Sequence, residues 1–101
     1  VGDLNSTPGT EGHLAATDAG FTDVWAAVGT GDGFTCCFAP DLSQPRTVDD
    51  LDTRIDHVLV RGAAGQLAPV SDEVVGEADA DRTASGLWPS DHAGVVATIT
   101  P

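Results

Sequence analysis

The sequence predicts a small α/β domain, a mostly antiparallel sheet carrying a short helix. Segments rich in β-branched and aromatic residues recur between breaks of Gly, Pro and Asp, among them "FTCCFA", "RIDHVLV" and "HAGVVATIT". One stretch, "TEGHLAATDAGF", carries helix signals instead. The length of 101 residues suffices for one domain with a modest core and leaves no room for two.

The first element is a strand tip, "VGDLN". Strand alternation puts Val1, Asp3 and Asn5 on one face and Gly2 and Leu4 on the other. Two polar groups thus share the face where Val1 expects a core, which marks a site, a strand entered in mid-domain, or both. "STPGTEG" then turns the chain, and the helix follows with Thr10 as its cap, Leu14 and Ala15 facing inward and Gly20 ending it. "FTDVWAAV" reads as extended or mixed, and "GTGDG" is a tight turn that launches "FTCCFA" as a strand.

"PDLSQPRTVDDLDT", with its prolines and aspartates, is a surface loop. Its "VDDLD" lacks the ligand spacing and central Gly of a calcium loop and reads as solvated. "RIDHVLV" is the clearest strand, closed by "RGAAG"; "QLAPVSDEVVG" offers a strand or two, "EADADRTASGLWPSD" a loop, and "HAGVVATIT" the closing strand. Trp25, Trp88 and Phe34 are core or loop anchors. His13 and His57 receive no role, His57 packing or reaching solvent. The two longest loops each run into an Asp-bearing strand, where polar chemistry collects.

Sixteen acidic against four basic residues give a formal charge of −12. Such a surface repels phosphate backbones, which argues against charge-driven nucleic-acid binding, and it suits divalent cations. No apolar run approaches the ~18 residues of a membrane span, and no signal peptide opens the chain, so it reads as soluble with its native location left open, export included. A start at Val1 without Met implies an upstream segment. The adjacent Cys36 and Cys37 fit neither a disulfide framework nor a four-ligand zinc site. They are a buried pair in a strand, a vicinal disulfide, or a pair of which one bonds a segment outside the chain.

Three short motifs stand in order: "GDLN" from Gly2, "RIDHVL" from Arg54 and "PSDHAGVVA" from Pro89. Singly each is weak, since an Asp near an Asn after a strand commonly just closes a turn. Together they resemble the C-terminal half of the endonuclease/exonuclease/phosphatase superfamily, the DNase-I-like fold. "GFTDVW" and "GFTCCF" resemble that family's D-x-W segment and G-[FY]-T strand. "GFTCC", "RIDHVLVRG" and "SGLWPSDHAGVVA" look most like a bacterial, actinobacterial branch. The resemblance covers nearly the whole chain and is weakest from Gln66 to Thr83.

The resemblance implies half of a four-layer α/β/β/α sandwich, because the family domain is roughly two or three times longer and its N-terminal Asn and metal-binding Glu motifs do not occur here. It implies a magnesium- or manganese-dependent phosphoesterase, that is, a hydrolase such as a phosphodiesterase, nuclease or phosphatase, with this stretch incomplete without the remainder. Carried over, Asp3 orients or deprotonates the attacking water and Asn5 positions it or the phosphate. His92 bonds a phosphoryl oxygen, Asp56 holds the His92 ring, and the divalent ion falls to Asp91 with Asp3 and Asn5. The expected partners are a phosphoester substrate and either the missing half or a second copy, covering an apolar sheet face that includes Val1, Val58 and Val60. The rival reading is a non-catalytic binding or assembly module on the same scaffold.

Overall fold

A computed structural model describes residues 1–45, 50–62 and 67–101. It is a small mixed α/β domain built on three two-stranded antiparallel sheets. β1 (Gly2–Asp3) pairs with β3 (Asp56–His57), and β2 (Thr22–Asp23) with β4 (Leu59–Val60). "RIDHVLV" is therefore the central rail of the site region, since its successive residues hold two other segments. β5 (Ala68–Val75) and β6 (Gly94–Thr100) form the longest ladder, with a register shift between Pro69 and Ser71. The shift falls at the Pro, which has no amide hydrogen for the ladder.

"FTCCFA" does not form the expected strand. Only Cys36 pairs, bridging Thr53 on one side and His92 on the other. The Ala93 amide donates to the Thr35 carbonyl at 2.8 Å and the Phe38 amide to the Asp91 carbonyl at 2.7 Å, so this short stretch clamps the "SDH" turn against the rail. In place of the expected mostly antiparallel sheet, the described residues form three two-stranded ladders and two isolated bridges at Cys36.

α1 (Glu11–Asp18) follows Thr10, whose hydroxyl donates back to the Thr7 carbonyl at 2.7 Å rather than capping the helix. It ends in a Schellman motif: the Phe21 amide reaches the Ala16 carbonyl and the Gly20 amide that of Thr17. Gly20 sits at φ +88°, a conformation open to Gly at little cost. Leu14 and Ala15 do not face inward; Leu14 is 43% exposed, and His13 is the residue the helix buries. With Leu14 as its one large apolar residue, the helix has no stripe to choose its face, and a buried polar bond chooses it instead. α2 (Val24–Val28) starts on Asp23, which accepts the Ala26 amide at 3.3 Å. A Cβ on Gly33 would collide with the Trp25 ring, which packs over that turn.

The core gathers Phe38, Leu51, Trp88 and Ala93, with Leu42 and Val74 against it. Phe38 and Trp88 stack with ring centroids 4.2 Å apart. The Trp88 indole donates to the Gln44 carbonyl at 2.8 Å, and the Arg82 guanidinium lies over the ring. Arg82 also donates to the carbonyls of Gly86 and Ser43, which folds the "EADADRTASGLW" loop onto the core. That loop includes a short 3-10 turn at Asp79–Asp81. Leu51 and Trp88 therefore make core anchors of two segments that read as surface loops. Part of the "VDDLD" stretch, and of "RGAAG", lies outside the described residues. Among the described residues no helix is long and apolar enough to cross a membrane.

Candidate active site

Asp3 and Asp56 are direct cross-strand partners in the β1–β3 ladder. Residues opposite one another in an antiparallel pair send their side chains to the same face, with Cβ atoms about 4.5–5.5 Å apart, and like charges there repel. His92, brought alongside by the Cys36 bridge, completes the group. One ligand atom from each of Asp3, Asp56 and His92 lies within 4.8 Å of the others, so this group could hold a metal ion.

The His92 ring is oriented. Its Nδ1 is 2.8 Å from Asp56 Oδ2, and both side chains are largely buried. The bond to Asp56 raises the His92 pKa above the ordinary imidazole value; burial opposes the rise, and the charges of Asp56, Asp91 and Asp3 add to it. Asp56 is positioned in turn by Thr35, a fully buried residue whose hydroxyl accepts the amides of Ile55 and Asp56 at 3.3 Å each. Thr35 is a positioning residue that sequence reasoning placed only in a strand.

One expectation for this site needs correction. β1 stops at Asp3, and Asn5 leaves the strand with φ +48°, its amide donating to Asp3 Oδ1 at 2.7 Å. Strand alternation therefore does not carry Asn5 onto the Asp3 face, because an Asx-turn ends the strand first. Asp91 immediately precedes the bridging His92 and takes the Ser90 hydroxyl at 3.3 Å, while Ser90 accepts the His92 amide at 3.2 Å. Among the described residues, Asp91 belongs to none of the three-residue groups that could hold a metal ion, and its charge adds to the rise of the His92 pKa.

Behind this face lies a polar network that sequence reasoning missed. Asp23 is buried and takes both arms of Arg54, at 3.1 and 2.8 Å, together with His13 Nε2 at 2.9 Å. Burial pushes the Asp23 carboxyl up, but the hydrogen bonds from Arg54 and His13 and the Arg54 charge outweigh it and hold the pKa at about 2. Arg54 also donates to His57 Nδ1 at 3.1 Å, so His57 carries its hydrogen on Nε2 and gives it to the Ser6 carbonyl at 2.8 Å. His13 likewise accepts the Gly9 amide on Nδ1 at 3.2 Å. The cluster His13, Asp23 and His57 thus has its lone pairs engaged and already holds a cation, the Arg54 guanidinium, so it is a brace and not a metal site. His57, 2% exposed, packs rather than reaching solvent, its ring 5.2 Å from that of His13, and its bond to Ser6 ties "RIDH" to the turn after β1.

A concavity of about 210 Å³ beside Asp56 is lined by Val1, Gly2, Val58 and Val95 among others. A wider one of about 490 Å³, lined by Trp25, Phe34 and Asp72, includes none of the Asp3, Asp56 and His92 group. Of the Asp3, Asp56 and His92 group, Asp56 lines the smaller concavity. Cys36 and Cys37 are bonded as a vicinal disulfide, and Cys37 Sγ lies 3.9 Å from His92 Nε2. In comparisons with known proteins, the chain matches no family model, no curated protein and no solved structure.

Proposed function

We propose that this chain supplies the carboxylate and imidazole side of a divalent-metal-dependent phosphoester hydrolase site, on one half of a four-layer α/β/β/α sandwich. The single observation that carries the reading is the convergence of Asp3, Asp56 and His92, from three distant motifs, onto one face with the imidazole already oriented. The motif resemblance supplies the reaction class.

The residues fit a hard divalent ion such as magnesium or manganese, since paired carboxylates are oxygen donors of the right kind; Asp3 and Asp56 would hold it, with Asp91 acting through its charge. When bound, such an ion neutralises phosphoryl charge and lowers the pKa of a coordinated water. His92, with its raised pKa, is available as an imidazolium to donate a hydrogen bond to a phosphoryl oxygen, and Asp56 fixes its direction. Asp3 orients and deprotonates the attacking water. Asn5, at the turn that closes on Asp3, positions the phosphate.

The test is hydrolysis of bis(p-nitrophenyl) phosphate with magnesium or manganese, by the longest natural polypeptide that carries this sequence. His92→Ala and Asp3→Asn are each expected to lower turnover about 10²–10⁴-fold. Turnover unchanged in both variants overturns the assignment. Binding of the ion and of phosphate esters with no turnover in the parent favours the non-catalytic module instead.

A further inference from the structure

We propose a second metal site, for zinc or another thiophilic divalent ion, formed by Cys36, Cys37 and His92 when the cysteine pair is reduced. One ligand atom from each lies within 4.8 Å of the others. This donor set, two thiolates and an imidazole, suits borderline and soft ions, whereas the Asp3 and Asp56 carboxylates suit hard ones. The proposal does not depend on phosphoester chemistry.

Two observations give the site more than proximity. Cys37 Sγ is 3.9 Å from His92 Nε2. With Zn–S of about 2.3 Å and Zn–N of about 2.05 Å, the sulfur-to-nitrogen edge of a tetrahedral site is roughly 3.6 Å, so Cys37 and His92 stand close to that spacing, while the Cys36 and Cys37 sulfurs, joined in the disulfide, must part to roughly 3.8 Å on reduction for Cys36 to join them. Independently, His92 Nδ1 is bonded to Asp56 at 2.8 Å. A metal-bound imidazole almost always gives its other nitrogen's hydrogen to a carboxylate, which fixes the ring and raises its basicity. His13 and His57 cannot take this role, because an amide and a guanidinium occupy the acceptor nitrogens of their rings.

Sequence spacing hides the site, since the third ligand lies far along the chain from the adjacent cysteines. Three protein ligands with a fourth position left to water is the pattern of an open zinc centre rather than a closed structural one. Reduction must come first: a dithiol reductant gives two electrons, becomes its own disulfide and leaves Cys36 and Cys37 as thiols. The incoming divalent ion then displaces their two protons.

The experiment titrates cobalt(II), a spectroscopic stand-in for zinc, into the reduced chain under anaerobic conditions and into the oxidised chain. The expected result for the reduced chain is sulfur-to-cobalt charge-transfer absorption, saturating at one thiolate-bound equivalent, and intense tetrahedral ligand-field bands, both abolished by zinc. The oxidised chain should show neither. Cys37→Ser and His92→Ala should lower affinity at least tenfold, and Asp56→Asn about 10–100-fold. Absence of thiolate charge transfer in the reduced chain, or unchanged affinity in Cys37→Ser and His92→Ala, overturns the proposal. NMR of the unmutated reduced chain gives an answer that does not rely on variants folding. Zinc should shift the His92 ring resonances and leave those of His13 and His57 in place, and the reverse pattern would also overturn it.

Discussion

Asp3 and Asp56 stand directly opposite each other in the β1–β3 ladder, two carboxylates on one face of a two-residue pairing. Such a pair is a local conflict, destabilising when nothing neutralises it. Sequences tolerate conflicts of this kind mainly where the site needs them. Here the imidazole of His92 lies against one carboxylate, and a divalent ion would relieve both.

This arrangement predicts a metal-dependent difference in stability. Adding manganese should raise the melting temperature of the natural chain more than that of Asp3→Asn, because the variant loses one of two oxygen donors. The Asn5 amide keeps an acceptor in the variant, since an Asn carbonyl replaces Asp3 Oδ1, so the turn itself is preserved. Thermal melts in EDTA and in excess manganese measure the effect. Equal gains in both proteins would show that the carboxylates do not share an ion.

The bond between Asp56 and His92 predicts a titration. In the natural chain, without metal, the His92 ring should deprotonate above the ~6.5 of an ordinary imidazole, because the neighbouring carboxylate favours the charged form. In Asp56→Asn the principal cause is removed and the midpoint should fall. Proton NMR of the ring across neutral pH follows both, and superimposed curves would mean that Asp56 does not govern the ring.

The Asp23 network predicts acid sensitivity with a defined sign. The carboxyl is held at about 2 in the folded chain, against ~3.9 in an unfolded one. A depressed pKa contributes stability that is fully present above the unfolded value and disappears as pH falls through the folded one. The contribution is on the order of 2 kcal/mol, lost between about pH 4 and pH 2. Arg54→Met would leave a buried carboxylate without its cation, at a cost of about 3–5 kcal/mol near neutral pH. Urea unfolding of both proteins at several pH values separates the two effects. A variant as stable as the natural chain would mean that the network does not brace "RIDH".

Of the residues that the motifs select, Asp3, Asn5, Asp56, Asp91 and His92, three (Asp3, Asp56 and His92) converge, because strand pairing and a bridge bring motif positions together whatever fills the loops. Gly20 as a helix stop was equally legible, since positive φ is a property of the residue itself. What could not be read was anything set by tertiary burial. His13 and His57 carry no role in the sequence, Asp23 and Arg54 stand there only as parts of motifs, and nothing local says that the four share one buried knot. Asn5 was misplaced because a side-chain bond two residues back competes with the strand, and alternation takes no account of such bonds. "FTCCFA" has strand composition yet pairs only at Cys36, because ladder partners on both sides are aligned at that residue and not along the segment.

Asp72 supplies the last prediction. It lies on β5, 8% exposed, opposite Ala97, and among the described residues neither carboxylate oxygen has a partner at full hydrogen-bond geometry. Burial raises its pKa, and the charge of Asp23 raises it further, with the Glu73 amide and the Arg54 charge opposing. A carboxyl whose folded pKa is raised destabilises the fold at high pH: the penalty is complete above the folded pKa and fades as pH falls to the unfolded value of ~3.9. Leaving a buried acceptor unsatisfied costs about 1–3 kcal/mol, and Val suits a strand position. Asp72→Val should therefore be more stable than the natural chain by about 1–3 kcal/mol near pH 7, with the gap narrowing towards pH 4. Chemical denaturation at both pH values checks it. A destabilised variant, or a gap that does not depend on pH, would show that the Asp72 carboxylate is compensated in solution.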